Sequence, residues 1–204
     1  MTIVDTLETV RQWLEDNVCP LVNLKLPDDS HTDGSYEYKL VNPQAFSLFI
    51  PTTDRLPPKV AAPIPSVCVS LVQGTDKPLE SAREAKIRLD FSAWDPGHHA
   101  PDLFYAKDGG GLFIKDNDEV LNQFQKNDLG WRDVWNFTDT ALREIENAEY
   151  LNGIRVKKEL GLDFGIYSEE KATPNFWPFW FSWIEFAVEI ASVRKIPKSY
   201  ENLL

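Results

Sequence analysis

The chain has 204 residues and a formal charge of -11, from 32 acidic against 21 basic side chains. A chain this long buries about 70% of the surface it exposes when unfolded, so it needs no disulfide or metal staple. Its 43% hydrophobic and 12% aromatic content excludes a disordered polymer. Scattered acidic excess with no basic cluster excludes a surface that grips nucleic acid through its phosphates; even Lys157-Lys158 is followed at once by Glu159.

Met1 leads into an acidic amphipathic segment, which is not a secretory leader, so the expected compartment is cytoplasm. Ile3, Val4, Leu7, Val10, Trp13 and Leu14 recur at helical spacing, with Thr2 placed to cap and Pro20 just beyond the end near Asn17 or Val18. Residues 27–38 read as a polar loop. Ala45 to Ile50 reads as a short strand stopped by Pro51. The stretch 51–65 holds Pro51, Pro57, Pro58, Pro63 and Pro65, which forbids a helix or central strand and predicts a stiff, extended loop within one domain, 1–204.

Ser66 to Val72 and Lys86 to Trp94 are predicted strands. In the second, Ile87, Leu89, Phe91 and Ala93 alternate with Arg88, Asp90 and Ser92. The polar link from Gln73 to Ala85 is long enough to make them antiparallel neighbours. Residues 97–118 are expected to be a long loop. The pattern then turns helical from about Asp118, pauses at Asp128-Leu129-Gly130, and resumes with Trp131, Val134, Trp135, Thr138, Ala141, Leu142 and Ile145 on one face. A turn at Asn152-Gly153 separates further strands at Ile154 to Val156 and Leu162 to Tyr167.

The last predicted element is a strand from Phe179 to Ile190, with Trp180, Ile184, Phe186, Val188 and Ile190 on one face and Phe179, Phe181 and Trp183 on the other. Five of the seven Trp lie between Trp131 and Trp183. The stretch Phe176 to Ala187 carries Glu185 and is shorter than the ~20 residues of a membrane span. Both faces of this strand are apolar at its start, so one must meet a helix or another subunit. The element order predicts an α+β fold: an antiparallel or mixed sheet with two or three helices on one face.

Catalytic templates fail on named residues. Gly109-Gly110-Gly111 lacks the Gly-Lys-Ser/Thr ending of a phosphate loop. Asp116-Asn117-Asp118 begins like a calcium loop, but Val120 and Leu121 stand where a ligand and a glycine are needed. His98-His99, near Asp95 and Asp102, is the one cluster resembling metal ligands. Adjacent side chains diverge in extended backbone, and His31 lies in another loop. Cys19 and Cys68 read as small buried hydrophobes rather than nucleophiles. No catalytic, cofactor or metal residue is assigned, while paired carboxylates that meet only in the fold stay open as acid–base groups.

Several stretches resemble uncharacterised proteins encoded among prophage morphogenesis genes of Gram-positive bacteria. These are Pro65-Ser66-Val67-Cys68-Val69, the Ile87 to Trp94 strand with Asp95-Pro96-Gly97-His98-His99, Gly130-Trp131-Arg132-Asp133-Val134-Trp135-Asn136-Phe137, and the final Phe-Trp run. Together they span Pro65 to Ile190. The element order is also similar to tail-terminator and tail-completion proteins of long-tailed phages, a fold-level analogy. That resemblance implies a virion protein without catalytic residues, forming a ring, a homohexamer, at the head-proximal end of the tail tube. Its implied partners are the tube and the neck proteins, with DNA passing through unbound. The alternatives are another neck or minor tail protein, or a small-ligand binder or hydrolase using loop carboxylates or His98 and His99. A ring built head-to-tail would place the 51–65 loop in its interface.

Overall fold

The computed structural model describes residues 1–28, 37–77, 82–95, 104–106, 112–114, 130–169, 172–174, 176 and 178–191. The first helix, α1, runs from Ile3 to Asn17. Thr2 closes a capping box: its hydroxyl accepts from the Asp5 amide at 3.1 Å, while the Asp5 carboxylate accepts from the Thr2 amide at 2.9 Å. Leu7, Val10, Trp13 and Leu14 are buried, but Ile3 and Val4 are exposed, so the apolar stripe begins one turn later than expected.

The expected loop 27–38 is shorter than its polar composition suggests. Leu24–Asp28 (β1) pairs antiparallel with Glu37–Val41 (β2), putting Pro27, Asp28, Glu37 and Tyr38 in strands. Gln44–Ser47 (β3) then runs parallel to Ser66–Lys77 (β4), which makes the main sheet mixed. Ala82–Trp94 (β5) lies antiparallel to β4.

The link 73–85 is mostly not a loop. Gln73 to Lys77 pairs with Lys86 to Ala82 after a bulge at Val72. This end of the hairpin has no apolar alternation to betray it. It is laced by charge, Lys77 to Glu84 at 2.9 Å and Arg83 to Asp76 at 3.5 Å.

Within the expected loop 97–118, Phe104–Ala106 (β6) pairs with Leu112–Ile114 (β7). The helical reading of 118–128 lies outside the described residues. The second helix, α2, spans Trp131–Asn147. Its buried seam is Val134, Phe137, Thr138, Ala141 and Ile145. Phe137, absent from the expected face, stacks edge-on against Phe91 at 4.9 Å, whereas Trp131 faces outward with the Arg132 guanidinium over its ring.

Tyr150–Leu151 (β8), Ile154–Val156 (β9), Leu162–Ile166 (β10) and Phe179–Ala191 (β11) complete the strands. The order is β3-β4-β5-β11-β9-β8, with β10 also pairing β11. β11 matches β5 residue for residue from Phe179 opposite Trp94 to Ala191 opposite Ala82. Val67, Val69, Ile87, Leu89, Phe91, Ile184, Phe186 and Val188 project from one face into a single cluster with the seams of α1 and α2. Each such side chain contributes about 1.5–3 kcal/mol by leaving water. The fold is α+β, with both helices on one face of a mixed sheet. Among the described residues, no helix is long and apolar enough to cross a membrane.

Candidate functional site

Alternation along β5 and β11 sends a second set of side chains to the face away from the helices. On β5 these are Lys86, Arg88 and Asp90; on β11 they are Phe181, Trp183 and Glu185. Register puts Glu185 opposite Arg88 and Trp183 opposite Asp90.

Glu185 accepts from both cations, Lys86 at 2.7 Å and Arg88 at 3.1 Å. Arg88 also donates to Asp90 at 2.7 Å. The hydrogen bond from Lys86 to Glu185 holds that ammonium above its ordinary pKa. The Arg88 guanidinium lies 5.1 Å from the centre of the Trp183 ring, a cation–π contact.

Trp183 owes its flat placement to a glycine. Gly165 stands directly opposite it on β10, and a Cβ there would come within 2.9 Å of the indole. With no side chain in the way, the ring lies across β10 and its Nε1 donates to the Ile166 carbonyl at 3.1 Å.

Beyond this ladder lies a cleft of about 540 Å³, lined by Arg88, Asp90, Tyr167, Phe176 and Phe181, together with Phe91 and Ser182. Tyr167 and Phe176 come from the hairpin joining β10 to β11, which is pinned by reciprocal backbone bonds between Glu169 and Ala172. Phe176 and Phe181 meet edge-to-face at 5.7 Å, and Tyr167 lies 5.9 Å from Phe176. The Tyr167 hydroxyl donates to Glu169 at 2.7 Å, which raises its pKa and keeps it protonated. The cleft offers apolar ring faces with carboxylates around them. Among the described residues nearby, Asp90, Asp163, Glu169 and Glu185 outnumber Lys86 and Arg88.

A second charged cluster sits where three distant segments meet. Lys25 on β1 reaches Asp95 at 2.7 Å and Asp133 at 3.7 Å. Burial, then the neighbouring Asp95, raises the Asp133 pKa, with Lys25 opposing. Trp180 donates from Nε1 to the Asp95 carbonyl at 3.0 Å, and a Cβ on Gly130 would stand 2.3 Å from that nitrogen. So the Asp95 and Gly130-Trp131-Arg132-Asp133 segments, far apart in sequence, interlock here. This pair of carboxylates is the kind that sequence order alone could not bring together.

The 51–65 stretch carries a turn at Thr53–Arg55. Leu56 follows at φ -65° and ψ 143°, polyproline-II values, and leads into Pro57-Pro58. The Val60 amide donates to the Pro57 carbonyl at 3.1 Å, with Lys59 at φ 79°. The Arg55 side chain is 82% exposed. Lys59, Ala61, Ala62, Ile64 and Pro65 line a cavity of about 240 Å³ together with Leu26 and Val41. The Gln44 amide donates to the Pro65 carbonyl at 3.2 Å, which ties down the end of this arm.

Of the residues singled out from sequence, His31, His98, His99, Asp102, the triple glycine 109–111 and the acidic run 116–118 lie outside the described residues. Cys19 and Cys68 are buried, free thiols. Burial pushes Cys19 up to about 12, and burial with the Asp90 charge pushes Cys68 up to about 11, so neither is a thiolate at neutral pH. The split of the last strand into Trp180, Ile184 and Phe186 against Phe181 and Trp183 is as expected. Sequence reasoning missed Arg88 and Asp90 as partners of Phe181 because the strand pairing that joins them spans almost a hundred residues, and Tyr167 because only the fold-back of β10 on β11 brings it there. The chain matches no protein-family model and no curated protein.

Proposed function

We propose that this chain is a structural virion component of a tailed phage or prophage particle: a ring-forming tail terminator at the head-proximal end of the tail tube. It would contact further copies of itself, the tube and the neck proteins, and work without catalysis or cofactor. The observation that supports this best is the sheet face turned away from the helices. Phe176 and Phe179 remain substantially exposed there and at its edge, beside the aromatic cleft. A face of this kind marks a contact surface rather than a finished monomer exterior. The acidic surface suits a passage that DNA slides through without adhering, since like charge repels the phosphates. A neighbouring position in the neck or tail draws on the same features.

Native mass spectrometry of the chain alone, and with purified tail tube, tests the reading. A hexamer, alone or on addition of tube, is the expected result; a monomer in both overturns it. A second reading, a small-ligand binder, is favoured by the cleft volume, which falls in the range of ligand sites. It predicts a monomer whose melting temperature rises with a bound small molecule.

A further inference from the structure

We propose that the aromatic cleft of one copy receives the proline-rich arm of the next, so that Arg55 to Lys59 of each chain dock against Tyr167, Phe176 and Phe181 of its neighbour. The inference rests on the ring-forming reading above and names the surfaces that would join the ring.

The chemistry of the two surfaces matches. Aromatic-lined grooves recognise polyproline-II segments because flat ring faces accept pyrrolidine rings while a nearby carboxylate fixes a basic residue. The cleft has three aromatic walls, with Glu169 beside Tyr167, while Asp90 on its floor is paired with Arg88. The arm supplies the complement: Leu56 already has polyproline-II dihedrals, and prolines 57 and 58 fix the next two φ angles. The extended run is Leu56 to Pro58, and it ends in a turn closed by the Val60 amide on the Pro57 carbonyl with Lys59 at φ 79°. Pro58 thus stands at the tip of a preset arm that loses little entropy on docking.

Charge agrees. Arg55 and Lys59 give the arm a positive excess over Asp54, which stays 3.9 Å from Arg55 with both side chains about four-fifths exposed. On the cleft itself Arg88 and Asp90 are paired and balance, and the excess of carboxylates flanks it, with Asp163, Glu169 and Glu185 against Lys86. Complementary charge of this sort selects the partner and its orientation.

Among the described residues, none of the arm lines the cleft of its own chain, so the contact is drawn between copies. The arm leaves the sheet after β3 and returns at β4, and its root is held by the bond from the Gln44 amide to the Pro65 carbonyl. The cleft lies over β5 and β11, two and three strands from β3 at about 5 Å per strand step. Arm and cleft at different places on one chain allow a head-to-tail contact, which closes as a ring, whereas reciprocal exchange of arms between two copies would stop at a dimer.

The test uses the full chain in two singly substituted forms, Pro58→Cys and Phe176→Cys, mixed under mild oxidation; the native thiols are buried. A cross-linked dimer in the mixture but in neither form alone is the expected result. Alongside it, Pro57→Ser/Pro58→Ser and Phe181→Ala should each weaken assembly by about tenfold or more, as loss of a central anchor does. Rings that form without the mixed cross-link and ignore the arm variant overturn the docking and leave the ring reading intact. A mixed cross-link in chains that never form rings supports the docking and overturns the ring. Monomers with no cross-link overturn both. Should Phe181→Ala unfold, the double proline variant decides, since both prolines are exposed.

Discussion

The two faces of the central sheet are built from the same strands yet held by different forces. Toward the helices, Leu89, Phe91, Ile184 and Phe186 are sealed in a dry cluster where stability comes from packing. Toward the outside, the alternate residues form a ladder of charge and stacked rings that leaves an open cleft. A change on the helix side should therefore act on folding, and a change on the outer side on what the protein meets.

The strongest way to break that contrast is to truncate matched aromatics. Phe186→Ala, fully enclosed, should cost about 3–5 kcal/mol in urea unfolding, whereas Phe181→Ala should cost about 1 kcal/mol. Equal losses would mean that the outer face is a second core. Next comes the seam between Trp180 and α2. Gly130→Ala places a Cβ within 3 Å of the indole nitrogen and of the Asp95 backbone, and should destabilise by about 1–3 kcal/mol. Its signature is a changed Trp fluorescence as the bond from Trp180 to Asp95 opens.

A smaller effect tests polar satisfaction on the helix side. The Thr138 and Ser182 hydroxyls are 2.6 Å apart and buried, and Thr138 also donates to Val134. Thr138→Val strands the Ser182 hydroxyl, so it should cost more than Ser182→Ala, by about 1 kcal/mol. The reverse order in thermal melts would place the important donor elsewhere.

The pH dependence of Asp133 is subtler. Its folded pKa is raised above the ordinary 3.8, so the folded state holds a proton that the unfolded chain has released. Stability contributed by this group is complete below 3.8 and declines as pH rises through its raised folded pKa. Urea midpoints of the protein and of Asp133→Asn, followed upward from acid, should show that decline in the former only. At the bottom of the scale, Arg155→Ala removes a half-exposed pair with Glu189 and should shift stability by less than about 0.5 kcal/mol.

Much of the fold was legible because periodicity is a local property. The capped start of α1, the 3.6-residue seam of α2 and the two-residue alternation of β5 and β11 all follow from side-chain direction along regular backbone. The hairpin end from Gln73 to Ala85 was not legible. Its ladder is held by cross-strand charge on residues that read as loop formers, and a polar surface strand lacks the apolar alternation that announces itself. Ile3 and Val4 misled for the opposite reason: they have the right spacing, but α1 meets β3 and β4 only from its second turn onward.

By itself, then, the sequence determined the class of the fold, the identity of the two described helices and the two-sided character of the last strand. Each of these depends on residues within a few positions of one another. Only the tertiary structure decided that Arg88 and Asp90 would floor a cleft walled by Tyr167, Phe176 and Phe181, and that Lys25 would stand between Asp95 and Asp133. Those meetings depend on strand register and on which helix covers which face. Register is set by the sum of many weak side-chain pairings along two thirteen-residue strands, which no short stretch of sequence contains.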